Sequence, residues 1–166
     1  MSDILEKTKN FVVELLSKDL SKDYLYHNLR HTQRVVKSTK ELLNAAPLSD
    51  EEKEALELAA WLHDTGYTKG SEDHENASKN IAESFLAKQG YELEMISKVV
   101  DCIMATSRHE EPKTFMEKIL RDADSSHFAQ KSYLETSELL REELSLLGIA
   151  SYTSKEWLEE NIKMFR

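Results

Sequence analysis

Residues Leu56-Glu57-Leu58-Ala59-Ala60-Trp61-Leu62 form a largely apolar run that ends on the doublet His63-Asp64, with Thr65-Gly66 after it. A run of this character belongs inside a protein, so the doublet sets an imidazole and a carboxylate at the edge of a core. An ionised Asp in such a place is costly unless a cation or several hydrogen bonds compensate it. A divalent metal ion is the simplest such cation. His31 lies far upstream and Asp124 far downstream, each on its own predicted helix, and together they could complete a mixed nitrogen and oxygen ligand set.

The rest of the chain shows the period of helices. Its 166 residues fit one domain, 1–166, with enough length to bury a core. Only four Gly and two Pro, with 32% charged residues, favour helix. Apolar residues at helical spacing predict helices over 3–18 and 27–45. Ser49 and Glu52 form a capping-box start for a helix running to Asp64, with Gly66 fitting just past its end. Further helices are predicted over 74–89, 92–106, 113–123, 131–147 and 154–165. No segment sustains period-two alternation, so the expected fold is all-α. Trp61, Phe85, Phe115 and the methionines fall at helical spacing and are expected in the core.

The net charge of −9 argues against a nucleic-acid polymer as partner, because such binding neutralises many phosphates with Lys and Arg. A local metal would still attract a small phosphorylated molecule. The single cysteine, Cys102, excludes an intrachain disulfide and sits in an apolar run as a packed thiol. There is no signal-peptide hydrophobic region and no apolar run of membrane-spanning length, so a cytoplasmic location is expected. The oligomeric state is left open.

Tyr26-His27-Asn28-Leu29-Arg30-His31 adds a second histidine four residues before His31, on the same face if the stretch is helical. Two imidazoles and two carboxylates make a borderline-hard set suited to Mn, Fe, Co, Zn or Mg. On an octahedral ion they leave positions open for an acidified water and a phosphoryl oxygen. The two carboxylates roughly cancel the ion's charge, so phosphate binding calls for further cations. Arg30 and Lys69 are the nearest in sequence.

His31, then His63-Asp64, then Asp124 resembles the H…HD…D signature of the HD-domain superfamily of metal-dependent phosphohydrolases. His-Asp-Thr-Gly at a helix end and Asp122-Ala123-Asp124 resemble that family's context. The resemblance implies an all-α HD-type helical bundle of about seven or eight helices. It covers about residues 24–128, with the N- and C-terminal helices packed on that core. It also implies His31, His63, Asp64 and Asp124 as metal ligands. The segment Tyr26 to His31 is similar to the YHNxxH segment of cyclic-nucleotide phosphodiesterases. That likeness implies His27 as the proton donor to the leaving oxygen, a role suited to an imidazole with a pKa near ~6.5.

The pattern departs from the two-metal members of the superfamily. His74 looks like the first of their two additional histidines, but Thr106 stands where the second is expected, and His109 comes three residues later. One metal is therefore favoured over two, with His74 near the substrate phosphate or a weaker second ion. His127 is expected to pack or to support the ligands. The expected function is a metal-dependent phosphohydrolase acting on a nucleotide or other small phosphate ester, by attack of a metal-bound hydroxide, with Asp64 orienting the water or accepting its proton. A slow or non-hydrolytic nucleotide-sensing module and a di-iron oxygenase are the alternatives, the second disfavoured by Thr106.

Overall fold

A computed structural model describes residues 2–164, and it is all-helical, with no strand among the described residues. Among the described residues eight α-helices follow one another: α1 (Asp3–Asp19), α2 (Leu29–Leu43), α3 (Asp50–Leu62), α4 (His74–Lys88), α5 (Leu93–Met104), α6 (Phe115–Asp124), α7 (Tyr133–Leu146) and α8 (Ser154–Met164). Two short 3-10 segments, Thr65–Lys69 and Ser125–Ala129, follow α3 and α6. The final residues of the helix expected over 154–165 lie outside the described residues.

The chain forms two compact units. One comprises residues 2–20 and 27–126, the other residues 21–26 and 127–164. In the first unit α3 is the central helix and touches α1, α2, α4, α5 and α6. Its residues Ala55, Leu56, Leu58, Ala59, Ala60 and Leu62 are fully buried. Val12, Leu86, Val99, Ile103 and Leu120 from the surrounding helices close the core around it. The expected capping box is present: Glu52 N–H donates to Ser49 Oγ at 3.2 Å, and Ser49 N–H donates to Glu52 Oε2 at 3.1 Å. It fixes the start of α3 and thereby the register at which His63 and Asp64 leave its other end.

The second unit is held by polar contacts as well as packing. Trp157 Nε1–H donates to Ser137 Oγ at 2.8 Å, Arg141 donates to the Tyr152 carbonyl at 2.9 Å, and Tyr26 N–H donates to the buried Glu143 carboxylate at 2.7 Å.

Two local expectations change. Helix α2 starts at Leu29, because Asn28 is extended (φ −133°) and its side chain accepts from Arg30 N–H, which caps the helix there. His27 therefore precedes the helix and does not share a helical face with His31. Gly66 does follow the end of α3, as a buried residue inside the first 3-10 segment. Phe115 opens α6 beside its cap Thr114 and Met164 ends α8, and each is 51% exposed, so neither is a core residue.

Candidate metal centre

His31 sits on the third residue of α2, His63 caps the C-terminus of α3, Asp64 follows it, and Asp124 ends α6. Three helices thus deliver four side chains to one place. His31 Nε2 lies 3.2 Å from Asp64 Oδ2 and 3.0 Å from Asp124 Oδ1. His63 Nε2 lies 3.2 Å and 3.6 Å from the same two oxygens. Ligand atoms of His31, His63 and Asp124 all fall within 4.8 Å of one another, a spacing that can hold a metal ion. Both imidazoles and Asp64 are buried, and Asp124 is partly open at 29% side-chain exposure.

The tautomer of His63 decides what this arrangement needs. Its Nδ1 lies 2.9 Å from the Ala60 carbonyl, which can only accept, so Nδ1 carries the hydrogen. In the neutral ring Nε2 is then a lone pair, and it faces the carboxylate oxygen Asp64 Oδ2. Both atoms are buried, and with the ring neutral neither has a hydrogen-bond partner among the described residues. Two acceptors turned on each other in a core require a proton or a cation between them.

Electrostatics point the same way. Burial by itself depresses the His63 imidazole, but the charge of Asp64 and the hydrogen bonds to Asp124 and Asp64 outweigh it and hold His63 well above its ordinary value. His31 is raised by the same balance. Burial pushes the Asp64 carboxyl up, yet His63 and His31 draw it well below the usual carboxylate range, and Asp124 is lowered likewise. The cluster is neutral overall either with both imidazoles protonated or with one divalent ion replacing both protons. The second state is the metal-binding one, because imidazole and carboxylate ligate in their deprotonated forms. The donor set therefore fits a divalent ion.

Other predicted residues take different places. His27 lies beside the cluster, its ring centroid 5.7 Å from that of His31 in an edge-on contact. His74 is the first residue of α4; its Nε2 lies 3.8 Å from Asp64 Oδ1 and its Nδ1 3.3 Å from Glu75 Oε2. Burial lowers the His74 imidazole below its ordinary value despite the opposing charges of Asp64 and Glu75. Arg30 and Lys69 are exposed. Thr106 donates its hydroxyl to the Ile103 carbonyl at 2.7 Å, closing the end of α5, and His109 is exposed in the loop beyond. His127 belongs to the second unit, where Tyr26 Oη lies 3.0 Å from its Nδ1. Asp122 is exposed on α6, while Ala123 beside it is buried.

Sequence reasoning did not single out Tyr67, Glu75, Ser78 or the Ala60 carbonyl. Tyr67 is buried between His27 and His74, with ring centroids 4.5 Å and 4.0 Å away. Ser78 Oγ accepts from Gly66 N–H at 2.8 Å, which ties the segment after the doublet to α4. The position of Tyr67 directly after His-Asp-Thr-Gly was the available signal for it.

An all-α fold that gathers histidines and aspartates from separate helices into one buried cluster defines a class of helical metal-binding proteins. Within that class the chain belongs to the HD domain family, whose model matches residues 28–129. Members of this superfamily are usually metal-dependent hydrolases. The fold is similar to the crystal structure of a predicted HD superfamily hydrolase from an uncultured Thermotogales bacterium. The TM-score is 0.67 at 20% identity, over 97% of this chain and 90% of that one. Among curated proteins, none matches the sequence. Among the described residues, no helix is long and apolar enough to cross a membrane.

Proposed function

We propose that the protein is a metal-dependent phosphohydrolase acting on a nucleotide or another small phosphate ester. The observation that carries this reading is the buried His63 Nε2 set 3.2 Å from Asp64 Oδ2, with His63 Nδ1 already committed to the Ala60 carbonyl. His31, His63, Asp64 and Asp124 hold one divalent ion of the Mn, Fe, Co, Zn or Mg kind. When bound, such an ion supplies Lewis acidity at water and at a phosphoryl oxygen.

The chain's own groups supply the rest. Asp64 orients the attacking water and accepts its proton as the new P–O bond forms. His27, partly exposed beside the cluster, gives its proton to the leaving oxygen as the old P–O bond breaks. His74, Arg30 and Lys69 offer positive or hydrogen-bonding groups to the phosphate. The single-ion reading rests on Thr106, a hydroxyl engaged with the Ile103 carbonyl where a two-metal site would need an imidazole.

The test is elemental analysis of the purified protein together with phosphate release from a panel of nucleotides and simple esters. About one divalent ion per chain with turnover of at least one ester class supports the reading. A tight nucleotide complex left intact for hours with metal present selects the sensing module instead. Two irons per chain with an oxygen-dependent reaction selects the oxygenase.

A further inference from the structure

Asp64 stands at both ends of an arc of rings. His63 and His31 pack at 5.5 Å between centroids, His31 and His27 at 5.7 Å, His27 and Tyr67 at 4.5 Å, and Tyr67 and His74 at 4.0 Å. The arc starts at Asp64 Oδ2, against His31 and His63, and returns to Oδ1 through His74. Tyr67 is the one member of this arc without an imidazole. Its ring is stacked on both neighbours, at 30° to His27 and 14° to His74.

The backbone under Tyr67 is pinned. Tyr67 N–H donates to the Asp64 carbonyl at 3.1 Å, and Gly70 N–H donates to the Tyr67 carbonyl at 3.1 Å. Thr65 Oγ1–H donates to the Leu62 carbonyl at 2.7 Å, and Gly66 N–H donates to Ser78 Oγ at 2.8 Å, so the turn is fixed to both α3 and α4. The two flanking histidines lie at the starts of elements. His27 precedes the cap of α2, and His74 is the first residue of α4. Offset stacking on a buried aromatic face is a favoured geometry that fixes the plane of a ring.

We infer that Tyr67 is a positioning residue: its buried ring holds His27 on one face and His74 on the other, and so sets where the proton donor stands relative to the metal ligands. The consequence for rate rests on the hydrolase reading above, while the stack itself does not. Displacing a proton donor by about an ångström can cost on the order of 100-fold in rate. That cost falls on esters whose leaving oxygen needs the proton.

The test compares Tyr67→Leu, which keeps bulk but removes the ring, with Tyr67→Phe, which keeps the ring. Rates are measured on phenyl phosphate and 4-nitrophenyl phosphate in the Mn²⁺-loaded full chain. The His27 and His74 ring protons are followed by NMR in parallel metal-free samples, because paramagnetic Mn²⁺ would broaden rings this close to the cluster beyond detection. Tyr67→Leu is expected to lose about 100-fold in kcat on phenyl phosphate and under about tenfold on 4-nitrophenyl phosphate, with wild-type Mn content. Tyr67→Phe restores most of that loss. The ring-current-shifted imidazole resonances move toward ordinary positions in Tyr67→Leu and stay shifted in Tyr67→Phe. Equal losses on the two esters, or unmoved imidazole resonances in Tyr67→Leu, overturn the assignment. If the wild-type protein cleaves neither ester, the hydrolase reading fails for these substrates, and the imidazole resonances alone decide the stack.

Discussion

Gly66 is where the fold comes closest to forbidding a side chain, and Gly66→Ala is the sharpest test of how the doublet is held. A Cβ at this position meets the His74 carbonyl oxygen at 1.9 Å, the Ser78 nitrogen at 2.6 Å and Ser78 Oγ at 2.8 Å. Two of these are backbone atoms of α4, so relief requires the helix to retreat by more than an ångström. The retreat breaks the Gly66 N–H bond to Ser78 Oγ. Overpacking of this kind costs roughly 1–3 kcal/mol, and the lost buried hydrogen bond about 0.5–1.5 kcal/mol. Together the variant should lose about 2–4 kcal/mol, a fall in Tm of roughly 4–16 °C for a chain of this size. Thermal and guanidinium unfolding followed by circular dichroism measure it. Ser78→Ala separates the two contributions, since it removes the hydroxyl but leaves room for Gly66, and should cost about 1 kcal/mol. The double variant Gly66→Ala/Ser78→Ala should not recover, because the His74 carbonyl remains in place. A Gly66→Ala protein melting within about 1 °C of wild type would refute the reasoning.

Asp64→Asn should lower metal affinity by at least about 100-fold and abolish phosphate release, with metal content per chain as the readout; a variant that keeps its metal would remove Asp64 from the ligand set. The metal-free protein binds protons at His31 and His63, whose values are raised, and metal must displace them. Metal affinity should therefore fall as pH drops below those raised values, by about tenfold per proton displaced per pH unit. The sign follows for stability too. The raised imidazoles stabilise the metal-free fold fully below their unfolded value of about 6.5 and lose that contribution as pH rises through their folded values. Chelation should consequently cost little stability near pH 6 and much more near pH 8.5; a pH-independent cost would exclude proton displacement. Burial pushes the Cys102 thiol up to about 12, so it should resist a thiol reagent at pH 8 in the folded protein and react at once after denaturation, as a spectrophotometric thiol titration would show.

The parts of this fold legible in the sequence are those where one segment carries its own signal. The capping box at Ser49 and Glu52, the apolar face of α3 and the lone-cysteine core position need only local pattern, and each is found in place. The start of α2 was misread because apolar periodicity continues past Asn28 toward His27, while the side chain of Asn28 competes for the first free amide and ends the helix there. Gly66 follows the helix end as expected, but the reason a glycine stands there was not legible. A glycine after a helix usually signals a left-handed residue, and only tertiary packing reveals that this one is needed for space against α4.

Within the site, the same boundary separates what residue type discloses from what geometry adds. His31, His63, Asp64 and Asp124 are brought together by α2, α3 and α6, and their chemistry was readable because buried titratable groups in apolar surroundings call for compensation. Tyr67 has no such signature, since an aromatic in an apolar neighbourhood is ordinarily core. Its stacking partners come from the segment before α2 and the first residue of α4, so neither is a neighbour at helical spacing. This has a chemical consequence. The proposed metal ligands are placed by three helices and by the Ala60 carbonyl, whereas His27 and His74 share the two faces of one buried ring. Substitution at Tyr67 should therefore separate ion retention from turnover, which substitution at His63 or Asp64 cannot do.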